Sequence, residues 1–561
     1  MSGVDNPIRL VLVMGGGVSL GSYAAGALTE LFYALEATQH GGNGHRRIQI
    51  DVITGASAGA MSAAVFARAL TADRADIGRL REAWVDRISI DELTRRNGTP
   101  FDPLALLSAA VIDEIADDVL TVPKRYNWRP FCNTPLRLAF TLTNLGGMTY
   151  PLAYSNQPNR FFSTRIHSDH VRFELQPNSP PEKATWERIR ATAIASGAFP
   201  AAFPPRSFAR QSDDFPGAVW PSPPGQPCDM WYVDGGVLNN EPLGLAKSLV
   251  EKDPDHVHQD YRYLLIDPYL NAFAAKYAGP QTLGGAVGGL ARAILGESTA
   301  KDWMRANKTN WRVAVLEDFV RDHLRPIVDT IAASAGDDGA RILTALSGTA
   351  VSIADFKMSV SPQKTPAAVT AREYVDANVE RIGSDPRFAQ AVEGLTGATR
   401  RAMLEAIFIL ENFAGLRHKK QMPLYLIAPG ASATDAGADE HPLAGDFLHN
   451  FGGFFRREWR EHDFLCGRRD ARAVLTRDLR DDNGVPILTY PPEDDVNYDP
   501  TPVRVGPEDL TKDEKEKFRD YFKERFEPII DPHLPPLTGF LKGTIAKALA
   551  NRAMKQIGIE V

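Results

Sequence analysis

The stretch ITGASAGA contains Gly55-Ala56-Ser57-Ala58-Gly59, a serine with a glycine two residues to either side. That spacing suits a nucleophile on a sharp turn between a strand and a helix. The turn strains the serine and exposes its hydroxyl, and Gly55 and Gly59 remove side chains that would collide there. The helix that follows aims its first N–H groups at the same spot. A serine needs a base beside it to attack well. None of the twelve histidines has a context that marks it as that base. His256 and His258 lie in a polar loop, and His462 reads as packing. A carboxylate is the alternative. WYVDGGVLNNEP places Asp234 at the end of an apolar run, and Gly235 and Gly236 after it let another backbone or a substrate come close. A Ser-His-Asp triad is the competing arrangement.

A third cluster, LVMGGGVSLGS, sets Gly15, Gly16 and Gly17 between an apolar run and the start of a helix, which makes an anion site. A P-loop needs a Lys after its glycines, and none follows. A dinucleotide loop needs a glycine where Leu20 stands. A negative charge that develops in a transition state fits the spacing better.

The elements that hold these clusters read as alternating strands and helices. IRLVLVM (8–14) and IQIDVITG (48–55) are apolar runs of strand length, and 22–37 and 58–70 have helical spacing. This order predicts an α/β protein, a three-layer α/β/α core on a mainly parallel sheet. Ser57 and Asp234 then share the carboxyl edge of the sheet, where such folds build sites. Residues 71–180 read as less regular, with a strand at 136–145. A helix follows at 185–199, then a Pro-rich loop and strands at 230–236 and 261–269. Residues 276–420 read as a helical insertion. MPLYLIAPG (422–430) reads as a return to the sheet. The expected organisation is a core at 1–275, the insertion, a return at 421–475 and a C-terminal extension at 476–561.

The arginine-rich segment 453–475 has two readings, a phosphate-binding patch or an ion-paired helix docked on the sheet; the second is preferred. The basic last helix, with Lys547, Asn551 and Lys555 on one face, is read as packing, with attachment to a membrane surface as the alternative. A net charge of −7 on 561 residues argues against a nucleic-acid partner. Cys132, Cys228 and Cys466 are too widely spaced for a metal pair or a disulfide framework, which fits a reducing compartment. The start lacks the pattern of a signal peptide, and no apolar stretch reaches membrane-spanning length. A cytoplasmic location is expected, with any membrane contact peripheral.

The chain resembles the patatin-like phospholipases over roughly residues 8–270. The resemblance rests on GGGVSLGSYAAGAL, GASAG, ATAIASGAFPAAFPP (191–205) and DGGVLNNEP, in that order. It implies hydrolysis of lipid acyl esters by a Ser–Asp dyad without histidine, metal or cofactor. Ser57 would be the nucleophile and Asp234 the general base. N–H groups of Gly15, Gly16, Gly17 and Ala58 would form the oxyanion hole. Leu20 stands where the family usually carries Arg or Lys, so its side chain is expected to pack on apolar surface and leave the oxyanion to the backbone. The expected substrate is a phospholipid or lysophospholipid. The alternatives are a lipid acyltransferase and a non-catalytic lipid-binding or interaction protein.

Overall fold

The computed structural model describes residues 7–40, 47–95, 104–123, 126–154, 157–177, 183–253, 255–256, 259–269, 283–334, 337–360, 369–417, 419–432, 443–481, 484–488, 490, 506–530 and 539–556. His258 and residues 276–282 of the expected insertion lie outside them. The chain divides into two compact units. The first comprises 1–303 and 423–561, the second 304–422.

In the first unit the apolar runs become β1 (Ile8–Met14) and β2 (Ile48–Gly55), buried almost throughout, as strands covered on both faces must be. Helix α1 (Gly21–His40) follows β1, and α2 (Ala58–Thr71) follows β2. Next come α3 (Ala110–Val119), β3 (Cys132–Tyr154), β4 (Gln157–Leu175), α4 (Lys183–Ser196), β5 (Arg206–Arg210), β6 (Cys228–Asp234), α5 (Leu243–Val250) and β7 (Asp260–Ile266). The sheet order is β5-β6-β3-β2-β1-β7-β8, where β8 is Leu424–Ile427, with β4 paired to β3. Its centre is parallel; β3 pairs with β4 and β6, and β5 with β6, in antiparallel fashion. This is the mostly parallel α/β/α core that the alternating pattern predicted.

The region 71–180 is more regular than its sequence suggested. β3 is far longer than 136–145, and β4 was missed, because its charged and polar residues alternate on a half-exposed hairpin rather than forming an apolar run. β5 lies inside the Pro-rich loop.

The second unit is helical among its described residues. It takes the end of α6 (Leu283–Phe319), then α7 (Arg325–Ala333), α8 (Asp337–Val360), α9 (Ala371–Gly383) and α10 (Gly397–Ala414). Its own core gathers Val313, Val320, Val375, Phe388, Ile407 and Phe408.

The chain then re-enters the first unit. β8 (Leu424–Ile427) pairs with β7 in parallel, in the same sheet as β1 and β2. Helix α11 (Arg457–Arg477) packs on α1 as well as beside β8, so the arginine-rich segment docks on a helix of the core rather than on the sheet alone. The contact needs small residues: a Cβ on Gly26 would come within 1.9 Å of the Phe464 carbonyl oxygen, and one on Gly467 within 2.0 Å of that of Tyr23. Arg468 and Arg472 both hydrogen bond to the buried Glu30 of α1, at 2.9 and 2.8 Å. Two helices, α12 (Lys512–Ile530) and α13 (Gly539–Gln556), close the described chain. Both lie within the expected C-terminal extension.

Candidate active site

Ser57 occupies the turn between β2 and α2 with φ 53° and ψ −129°, a conformation a side-chain-bearing residue rarely adopts. Its neighbours enforce it. A Cβ on Gly55 would meet Ala60 Cα at 2.7 Å, and one on Gly59 would meet the Gly15 and Met14 carbonyl oxygens at 2.5 and 2.6 Å. The first turn of α2 thus lies directly on the backbone leaving β1. The Ser57 N–H donates to Ser196 Oγ at 2.9 Å, at the end of α4.

The Ser57 hydroxyl donates to Asp234 Oδ2 at 2.5 Å. Among the described residues no histidine hydrogen bonds to either side chain. Asp234 ends β6 and is gripped from three directions. Its Oδ1 accepts the Gly236 N–H at 2.7 Å, its own N–H donates to Ala198 O at 2.9 Å, and its carbonyl accepts the Thr143 hydroxyl at 2.8 Å. Gly235 passes so near β3 that a Cβ there would fall 2.2 Å from Thr141 O. Burial pushes the Asp234 carboxyl up to about 7, against the opposing effect of the Ser57 and Gly236 hydrogen bonds. No Arg or Lys among the described residues hydrogen bonds to it.

The glycine loop needs a correction. The N–H of Gly15 donates to Ile266 O at 2.9 Å, continuing the β1–β7 ladder, so it is spent on the sheet and is not an oxyanion donor. The N–H of Gly16 donates to Asn240 Oδ1 at 3.1 Å. The N–H groups of Gly17 and Ala58 have no partner among the described residues. They remain as donors in the glycine loop and at the start of α2, with Gly16 able to join only if Asn240 moves. A Cβ on Gly236 would also strike Asn240 Oδ1, at 2.5 Å, so this one amide oxygen ties the loop after β1 to the loop after β6. Asn240, Ser196, Ala198 and Thr143 were not singled out from sequence. Three of these four lie within quoted motifs, ASGAF and DGGVLNNEP, but their partners are remote in the chain.

Behind the loop lies a pair of buried acids. Glu241 lies beside Asp267, and burial together with that neighbour pushes the Glu241 carboxyl up to about 10. Asp267 packs on Gly15, whose Cβ would reach its Cγ at 3.0 Å. Leu20 is 1% exposed and packs in the core, with its Cδ2 beside Gly445, as expected for an apolar residue at that position. His462 is buried beside Asp463, 3.3 Å away, which is the packing role expected of it. No group of three or more His, Cys, Asp or Glu able to hold a metal occurs among the described residues. No described helix is long and apolar enough to cross a membrane.

One turn beyond Ser57, Met61 lines an apolar cavity of about 60 Å3 between α2, α3 and α4. Its lining includes Val65, Ile112, Ile115, Val119 and Ile194. Met61 also abuts Gly197, whose Cβ would touch its Cε at 2.6 Å.

A mostly parallel sheet with a strained serine on a strand–helix turn and a buried carboxylate beside it defines an α/β protein of the nucleophile-elbow class. Residues 12–247 match the model of the patatin-like phospholipase family. The similarity to this family takes in the segment that holds Ser57 and Asp234 and covers less than half of the chain. Residues 318–486 match a second model, described as a protein of unknown function (DUF3376). An uncharacterized protein of Sinorhizobium fredii (strain NBRC 101917 / NGR234), y4iI, is 23% identical over 351 residues, which is 46% of this chain and 48% of that protein. The chain thus spans about half the length of the curated relative it matches.

Proposed function

We propose that the protein is a serine acyl-ester hydrolase acting on phospholipid or lysophospholipid through a Ser57–Asp234 dyad. The 2.5 Å hydrogen bond between the strained serine and the buried carboxylate carries this reading. An aspartate raised to about 7 is a stronger base than an ordinary carboxylate and still ionised in part at neutral pH, the compromise that general-base catalysis favours. Asp234 takes the proton as Ser57 Oγ attacks the acyl carbonyl. The oxyanion meets the N–H groups of Gly17 and Ala58, and the N-terminus of α2 adds its dipole. Asp234 then returns the proton to the departing alcohol, and water activated by the same carboxylate releases the acid and restores Ser57. The apolar cavity at Met61 supports an acyl substituent on the substrate.

Hydrolysis of a panel of phospholipids and lysophospholipids, by wild type and by Ser57→Ala, tests the reading. It stands if fatty acid is released by the first and not by the second. It fails if the two proteins are equally inert, or if a fluorophosphonate labels a residue other than Ser57.

A further inference from the structure

β3 and β4 do not stop where the rest of the sheet stops. Phe140 of β3 is level with Gly55, and Leu142 is paired with Asp234, so this part of β3 flanks the dyad. The hairpin continues to Tyr154, after a bulge between Thr143 and Met148. It is braced as far as Thr149, which forms a bridge with Val219. From Leu142 to Leu152 runs on the order of 30 Å of strand.

The far end is apolar and open to solvent. Leu152 faces Phe162 across the hairpin, and Phe161 faces Ala153 on the other side of the ribbon. Phe161 is 60% exposed, Phe162 46% and Leu152 42%. Successive residues of a strand point to opposite faces, so this end offers large apolar groups on both faces. A groove on another protein would cover one face; the acyl region of a lipid layer surrounds both. The charge agrees. Residues 145–168 contain no Asp or Glu and include Arg160 and Arg165, in a chain of net charge −7. Arg165, opposite Thr149, is exposed where phosphate headgroups would lie.

We propose that the end of the β3–β4 hairpin inserts into an anionic phospholipid surface and so brings the edge of the sheet that carries Ser57 and Asp234 to its substrate. This rests on the reading that the substrate is a membrane lipid.

The test uses the full chain with Ser57→Ala, so that no turnover disturbs the vesicles. Sedimentation with phosphatidylcholine vesicles, with and without phosphatidylglycerol, measures partitioning. The expected result is binding that phosphatidylglycerol strengthens, and a loss of about tenfold or more when Phe161→Ser and Phe162→Ser are combined. Equal melting temperatures show that the double variant is folded. In a Phe162→Trp variant the indole emission should shift to the blue and be quenched by brominated acyl chains. Three results would overturn the proposal: no binding to either vesicle, equal binding by the double variant, or a dimer in solution that the double variant converts to monomer. Release of acid from a soluble short-chain ester by the otherwise native chain tests the dyad separately, so a failure of insertion is distinguishable from a failure of the hydrolase reading.

Discussion

The amide oxygen of Asn240 sits 3.1 Å from the nitrogen of Gly16, although 224 residues separate them. It fixes the glycine loop after β1 to the segment just after the Asp234 carboxylate. Asn240→Ala should therefore lower kcat for a soluble ester by roughly ten- to a hundredfold, with KM changed little, because positioning is lost rather than binding. A rise in kcat would show instead that Gly16 is a donor that Asn240 blocks.

Activity and stability should move in opposite directions with pH. A general base works only when ionised, so with Asp234 in the proposed role kcat/KM should climb with a slope of one to a plateau above about pH 7. For stability, the folded carboxyl binds its proton more tightly than the unfolded one. Its contribution is thus favourable below about pH 4 and is lost as pH rises to about 7, a change on the order of 4 kcal/mol. Asp234→Asn should abolish hydrolysis and raise the melting temperature at pH 8 far more than at pH 4. Equal shifts at both values would mean that the charge is not what destabilises the site.

Leu20→Arg should unfold the protein rather than restore a missing charge. The side chain is buried against the backbone at Gly445, and the neighbouring Asp463 carboxylate already accepts the N–H groups of Ala444 and Gly445. Placing a guanidinium there should cost several kcal/mol, seen as a drop in melting temperature of ten degrees or more, order-of-magnitude, while Leu20→Met stays near wild type. A stable, more active Leu20→Arg protein would contradict this packing.

Met61→Trp should shorten the acyl chain the enzyme prefers. Each methylene buried in the cavity is worth about fourfold in kcat/KM. The ratio of kcat/KM for a decanoyl over an acetyl ester should fall at least about tenfold in the variant. An unchanged ratio would remove the cavity from the substrate path.

Much of the site was legible because it depends on local chemistry. The apolar runs of β1 and β2, the glycines around Ser57 and the Asp-Gly-Gly after β6 each state their geometry within a few residues. What was not legible depends on pairing across the fold. Gly15 reads as a free donor until β7 arrives beside β1 and claims its N–H. Ser196 and Asn240 are ordinary polar residues until α4 and the loop after β6 bring them to Ser57 and Gly16. The β3–β4 hairpin escaped for a different reason: its outer part is not buried, so it carries no hydrophobic period to read.

The interruption between β7 and β8 has a consequence for synthesis. The two strands are neighbours in the sheet, yet roughly 150 residues separate them in the chain. At ribosomal rates of about 5–20 residues per second, the open edge of β7 waits on the order of ten seconds or more for its partner to emerge. During that interval a row of unpaired N–H and C=O groups faces a crowded cell. The nascent chain is most exposed to mispairing while the helical unit is being made, so slow translation through 304–422 should burden chaperones more than slow translation anywhere before it.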